Sequence, residues 1–98
     1  MDYQKITLGE AKCFHTYFQL INKEEENLSI YQNKIELINY KKLQGLESLW
    51  RITFDSENEK ATEQSGELLI DLHLRVSNNY NSEGKKNIII HFIEKCMQ

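Results

Sequence analysis

The chain has 98 residues, of which 40 % are hydrophobic and 28 % charged, and its formal net charge is −3. This length predicts a single domain over residues 1–98 with one modest core. The acidic balance makes direct nucleic-acid binding unexpected, because nucleic-acid-binding domains are usually basic. We expect a cytoplasmic protein without a membrane partner, because the sequence lacks a long apolar run and begins with polar residues.

Residues 1–22 carry conflicting signals for helix and strand. Thr7 and Glu10 form a T-x-x-E capping box, which predicts the start of a helix. Apolar side chains then recur at helical intervals, at Leu8, Ala11, Phe14, Phe18 and Ile21. In contrast, the run CFHTYFQLI consists almost entirely of residues that favour strands. We interpret residues 12–22 as a strand, with a helix over about residues 8–22 as the alternative.

The next segment predicts a β-hairpin. Its strands are Leu28–Tyr31 and Lys34–Tyr40, with a tight turn between them. A helix over residues 28–43 is the alternative, because some apolar residues there also keep a helical interval. Gly45 then suits a turn or a helix end.

Gly66–Val76 shows the clearest alternation of the whole chain. Apolar side chains occupy every second position, which predicts a strand with one apolar face and one mixed polar face. Leu49–Asp55 and Asn87–Glu94 alternate in a similar way and are able to pair with it. These three segments predict an antiparallel meander over residues 49–94, with long loops between its strands.

Together the segments predict a mainly β fold, an antiparallel sheet arranged as a sandwich or barrel. The alternative is an α+β fold in which the helix over about residues 8–22 packs on the sheet. The predicted core consists of alternating residues of the meander: Trp50, Ile52, Phe54, Leu68, Ile70, Leu72, Leu74, Ile88, Ile90 and Phe92.

His73 and His91 are the most suggestive pair for chemistry. In the predicted register they lie opposite each other on the outer face of the meander, where Asp71 could add a third metal ligand. A slip of one residue would separate them, and we prefer two ordinary surface histidines. The sequence contains no nucleophile elbow, phosphate-binding loop or zinc-protease motif. We therefore predict no catalytic residue, no metal and no cofactor.

Two surfaces are candidates for binding a protein partner. The outer face of the meander combines aliphatic residues with polar ones, which is typical of protein–protein contacts. Its polar residues are Arg51, Asp71, His73, Arg75 and His91. The alternative for this face is an internal ion pair between Arg51 and Asp71.

The second surface is the acidic segment around the predicted loop Ser56–Ser65. The segment contains one lysine, Lys60, and five carboxylates: Asp55, Glu57, Glu59, Glu63 and Glu67. Glu24–Glu26 form another acidic cluster, and Tyr80 lies at the centre of the second predicted loop, Ser77–Lys86. Opposite potentials speed association, so this surface predicts a basic protein partner. A solvated connector is the alternative.

These features predict a small acidic module that inhibits or neutralises a larger basic protein, as immunity proteins, antitoxins and phage-encoded inhibitors do. One alternative is a structural or regulatory subunit that acts as a homo-oligomer, such as a homodimer. Another is a small enzyme that depends on His73, Asp71 and His91.

Overall fold

Helices dominate the computed structural model, which describes residues 2–32, 34–76 and 80–97. The helices in these ranges are α1 (Leu8–Glu24), α2 (Leu46–Asp55), α3 (Glu59–Leu74) and α4 (Ser82–Cys96). Strands β1 (Leu28–Tyr31) and β2 (Lys34–Leu37) follow α1, and a short 3₁₀ helix (Tyr40–Lys42) precedes α2. None of the helices in the described ranges is both long and apolar enough to cross a membrane.

The predicted mainly β fold is wrong, because every segment assigned to the meander is helical. Leu49–Asp55 lies in α2, most of Gly66–Val76 lies in α3, and Asn87–Glu94 lies in α4. Within the described residues, the β1–β2 hairpin is the whole of the sheet. The α+β alternative places a helix correctly at the N-terminal end of the chain, but it also requires the larger sheet.

The period of α3 explains why it resembles a strand. Its buried residues recur at intervals of three and four: Ala61, Ser65, Leu68, Leu69, Leu72 and His73. Ile70 and Leu74 lie outside this buried face and are 46 % and 68 % exposed. Together with Leu68 and Leu72, these two exposed side chains produce the alternation that predicted a strand.

The predicted capping box starts α1 and is confirmed. The Thr7 hydroxyl accepts a hydrogen bond from the Glu10 N–H at 3.1 Å, and the Glu10 carboxylate accepts one from the Thr7 N–H at 3.0 Å. The strand predicted over residues 12–22 is wrong, because the helical period buries one side of α1. That side consists of Ala11, His15, Phe18 and Asn22.

The predicted hairpin is confirmed over most of its length. β1 pairs with β2 in antiparallel register, with Leu28 opposite Leu37. Gln32 has a φ of 52°, the left-handed conformation that a tight turn often requires. The second strand ends before the predicted boundary because the 3₁₀ helix Tyr40–Lys42 follows. The Leu37 N–H donates to the Arg75 carbonyl at 2.8 Å, which joins the hairpin to the end of α3.

Both predicted long loops contain the start of a helix. Most of Ser56–Ser65 belongs to α3, and the second half of Ser77–Lys86 belongs to α4, while residues 77–79 lie outside the described residues. Asn58 caps α3 and Asn81 caps α4. Each side chain accepts a hydrogen bond from the backbone N–H three residues later, at 3.0 and 2.7 Å respectively.

Two buried asparagines join α1 to the segment that precedes α2. The Asn22 amide donates to the carbonyls of Phe18 and Gln44, at 2.8 and 2.9 Å. Its oxygen accepts from the Gln44 N–H at 2.8 Å and from the Asn27 amide at 3.1 Å. The Asn27 amide also donates to the Lys42 carbonyl at 2.8 Å. This network uses both donors and both lone pairs of the Asn22 side chain, so it anchors the 3₁₀ helix firmly.

The predicted core is correct only in part. The members that are buried are Trp50, Ile52, Leu68, Leu72 and Ile88. Phe92 is half-buried, whereas Phe54, Ile70, Leu74 and Ile90 are exposed, because a helix turns them away from the side that packs. Further core residues come from outside the predicted meander core: Phe18, Leu28, Ile35, Leu37, Leu49 and Leu69.

Two matched leucine substitutions distinguish the helix from the strand. Leu72 is fully buried in α3, so Leu72→Ala is expected to lower the free energy of unfolding by about 2–5 kcal/mol. Leu74 is exposed, so Leu74→Ala is expected to change it by less than about 0.5 kcal/mol. Urea denaturation of both variants measures the difference. Equal losses of stability would support the strand and contradict α3.

Candidate functional site

A cleft of about 510 Å³ lies between the 3₁₀ helix and the first turns of α4. One wall consists of Asn39, Tyr40 and Lys41. The other wall consists of Tyr80, Gly84, Asn87, Ile88 and His91. This volume is in the range of pockets that bind small molecules in proteins. We refer to it as the Tyr40 cleft.

Tyr80 connects the two walls of the Tyr40 cleft. Its hydroxyl accepts a hydrogen bond from the Tyr40 N–H at 2.8 Å. Gly84 allows the Tyr80 ring to lie against α4, because a Cβ at position 84 would be only 3.1 Å from the Tyr80 Cδ1 atom. Tyr80, which the sequence placed in a partner-binding loop, therefore contributes to the shape of this cleft.

The rings of His73 and His91 both contact the ring of Tyr40. The ring centroid of Tyr40 lies 5.4 Å from that of His73 and 5.7 Å from that of His91, both in edge-on geometry. The two histidines belong to different helices, so the predicted pairing across strands is wrong. His73 is buried, whereas His91 is exposed on the wall of the cleft.

The metal site considered from the sequence does not assemble. Asp71 and His73 lie on opposite sides of α3, where Asp71 is exposed and His73 is buried. Across residues 2–32, 34–76 and 80–97, no group of three or more His, Cys, Asp or Glu side chains lies close enough to hold a metal ion. His73 and His91 therefore have no third ligand within the described chain.

Burial shifts the pKa of His73 and the pKa of Tyr40 in the directions that favour their neutral forms. The His73 Nδ1 donates to the Leu69 carbonyl at 2.8 Å, which leaves Nε2 of the neutral imidazole as an acceptor, and the Tyr40 hydroxyl lies 3.4 Å from Nε2. Burial lowers the pKa of His73, and the nearby His91 lowers it further, although the hydrogen bond to Leu69 acts in the opposite direction. Burial also raises the pKa of Tyr40 to about 12.

Aromatic packing supports the cleft from behind. The ring centroid of His73 lies 4.7 Å from that of Phe92 and 5.8 Å from that of Trp50. The Trp50 indole N–H is buried and has no hydrogen-bond partner among the described residues. These ring contacts add dispersion attraction to the hydrogen bond that holds His73 to Leu69.

The acidic residues assigned to a loop form a row along α3 instead. Glu59, Glu63, Glu67 and Asp71 are exposed and follow one another at intervals of four, so they share one face of the helix. Glu57 lies in the connection before α3. Like charges at this spacing repel each other and reduce the stability of the helix. Binding of a basic partner to this acidic row stays a prediction.

The two arginines do not share a surface, because the meander that would have held them is absent. Arg51 forms an ion pair with Asp55 one turn later on α2, so the predicted alternative pair with Asp71 is wrong. Arg75 follows α3 and lines a different concavity, next to the hairpin. A role for these side chains in binding a partner stays a prediction.

α4 carries apolar residues on two opposite sides. Ile88 is buried and Phe92 half-buried on the side that faces the core. The other side consists of Ile89, Ile90, Ile93 and Met97, which are 40 %, 41 %, 50 % and 81 % exposed. We refer to these four residues as the outer stripe. Large exposed apolar side chains grouped on one side of a helix are a candidate contact surface.

Sequence analysis missed the wall formed by Asn39, Tyr40 and Lys41, because nothing in their local pattern indicates a cleft. The wall formed by α4 does have a signal. If Asn81 is taken as a helix cap, Gly84, Ile88 and His91 recur at intervals of three and four and fall on one side of the helix. The strand interpretation hid this pattern.

No protein-family model matches the sequence, and a comparison with curated proteins finds no match. Function is therefore inferred from the geometry of the described residues.

The fold is expected to lose stability as the pH falls below about 6.5. Burial lowers the pKa of His15 and of His73 in the folded chain, so protons bind more tightly to the unfolded chain. The stabilising effect is complete above the unfolded pKa of about 6.5 and is lost as the pH falls toward the folded values. Urea midpoints at several pH values measure this loss.

His73→Gln is expected to flatten this pH dependence, because it removes one of the two buried histidines. The matched variant His91→Gln removes only the smaller contribution of His91 to the lowered pKa of His73 and leaves burial unchanged, so it should retain most of the slope. An identical slope in the wild type and in both variants would show that buried histidines do not set the pH dependence.

Proposed function

We propose that the chain is a non-catalytic interaction subunit that self-associates through the outer stripe of α4. The observation that supports this proposal is the continuation of apolar residues around α4, beyond the side that packs on the core. Ile90, Ile93 and Met97 follow one another at intervals of three and four, the spacing with which one helix packs against another. Covering this stripe would remove exposed apolar surface from water.

A second copy of the chain is the favoured partner, because the charges along the stripe are self-complementary. Lys86 lies four residues before Ile90 and Glu94 lies four residues after it, and all three are exposed on one row of α4. A twofold axis through Ile90 would place two α4 helices antiparallel. Lys86 of each copy would then face Glu94 of the other, as an isologous interface requires.

The apolar surface extends beyond α4. A small groove of about 170 Å³ between α2, α3 and α4 is lined by Phe54, Ile70 and Cys96, among other residues. Cys96 lies one helical turn after Ile93, so this groove borders the outer stripe. Phe54 and Ile70 are about half exposed and enlarge the apolar area that a partner could cover.

The double variant Ile90→Lys/Ile93→Lys is expected to be monomeric at concentrations at which the wild type is dimeric. The substitutions place like charges in the centre of the contact, where repulsion and desolvation oppose association. Sedimentation velocity over a concentration series measures the mass. Leu20→Lys is the matched control, because Leu20 is 60 % exposed on α1 and lies outside the outer stripe. A monomeric wild type throughout the series would contradict the proposal.

Charge reversals test the antiparallel geometry. Lys86→Glu alone and Glu94→Lys alone are each expected to weaken the dimer, and the two together are expected to restore it. Both positions are exposed on α4, so each single change is expected to alter the stability of the fold little, and unfolding would not explain a loss of association. Failure of the double reversal to restore the dimer would contradict the antiparallel pairing.

A second candidate function is the binding of a basic protein by the acidic row of α3. The observation that favours it is the position of exposed apolar residues beside the carboxylates. Ile70 lies three residues after Glu67, and Leu74 lies three residues after Asp71, so each is a neighbour on the helix surface. Carboxylates that steer and aliphatic residues that dock are a common combination at protein interfaces.

Glu67→Lys is expected to slow association with a basic partner obtained by affinity purification. The effect should be largest at low salt, because exposed charges are screened beyond about 10 Å at 0.1 M salt. Surface plasmon resonance over a salt series measures the association rate. Glu36→Lys, an equal change of charge at an exposed position on β2, is the matched control. Equal association rates for both variants and the wild type would exclude the acidic row as the binding surface.

A further inference from the structure

We propose that the Tyr40 cleft binds a small planar anion, an aromatic ring that carries a carboxylate or phosphate group. The proposal does not depend on self-association, because no member of the outer stripe lines this cleft. It rests on three features of the cleft: its walls, its charge and its rigidity.

The walls of the Tyr40 cleft suit a flat, mainly apolar ligand. Tyr40, Tyr80 and Ile88 supply two aromatic rings and an aliphatic side chain, and apolar surface predominates. Aromatic rings pack well against other rings in offset or edge-on geometry. A volume of about 510 Å³ accommodates a single ring with one substituent and some solvent.

The charge of the cleft selects an anion. Lys41 provides an ammonium group, and the amides of Asn39 and Asn87 together with the imidazole of His91 provide further hydrogen-bond donors. No carboxylate is found among the described residues that line it. This absence of acidic groups contrasts with the net charge of −3 for the whole chain.

A second concavity of the chain differs from the Tyr40 cleft because its basic side chain is paired with a carboxylate. A hollow of about 440 Å³ near the N-terminal segment is lined by Asp2, Arg51 and Asp55, among others. There, Arg51 is already paired with Asp55, so its charge is neutralised within the protein. Lys41 has no such carboxylate beside it among the described lining residues of the Tyr40 cleft.

The cleft is already shaped without a ligand. The hydrogen bond from the Tyr40 N–H to the Tyr80 hydroxyl connects its walls. The bond from Asn27 to the Lys42 carbonyl fastens the 3₁₀ helix on the other side. A preorganised site loses less conformational entropy when a ligand binds, which favours affinity for a small molecule.

Titration followed by ¹H–¹⁵N NMR tests the proposal with four probes of similar size. Benzoate and phenyl phosphate carry an anion, benzyl alcohol is neutral and benzylammonium is a cation. The two anions are expected to shift the signals of cleft residues and to bind about tenfold more tightly than benzyl alcohol, because hydrogen bonds to charged groups are stronger than neutral ones. Benzylammonium is expected to bind most weakly. The two anions also distinguish a carboxylate ligand from a phosphate ligand.

Lys41→Met is expected to reduce the affinity for the anions to that for benzyl alcohol. Lys12→Met, which removes an exposed ammonium group from α1, is the matched control and should leave binding unchanged. Three results would overturn the proposal: equal affinity for anion and alcohol, signal shifts spread outside the cleft, or unchanged binding by Lys41→Met. Inorganic phosphate that binds as tightly as phenyl phosphate would also overturn it, because the ring would then contribute nothing.

Discussion

The hydrogen-bond network of Asn22 and Asn27 is the constraint on which the rest of the structure depends. These two buried amides hold the end of α1, the 3₁₀ helix and the start of α2 together. A buried amide that loses a partner costs about 1–3 kcal/mol, so the network tolerates few other arrangements. It positions Tyr40, whose ring then contacts α3 and α4 and whose backbone meets Tyr80.

Apolar side chains that remain exposed to solvent are a second feature of this structure. α4 packs on the core with Ile88 and Phe92, yet its opposite side is apolar as well. The same surplus occurs on α3, where Ile70 and Leu74 lie among carboxylates. Exposed apolar residues do not stabilise an isolated chain, and the self-association proposed for α4 would cover those of the outer stripe.

Local signals predicted some elements well. The capping box of Thr7 and Glu10 and the pairing of β1 with β2 depend on residues close together in the sequence, and both are confirmed. The prediction of a meander is wrong because buried and exposed apolar side chains of α3 and α4 alternate in the sequence. This alternation imitates the period of two that is typical of a strand. The walls of the Tyr40 cleft come from segments that are about 40 residues apart. Their proximity is a property of the tertiary fold, which no local pattern encodes.

Trp50 gives this fold a built-in optical probe. It is the single tryptophan of the chain and is 3 % exposed. Its indole stacks on Phe54 of α2 and also contacts His73 of α3 and Phe92 of α4. Fluorescence from one residue therefore reports on the place where three helices meet, and it needs no label.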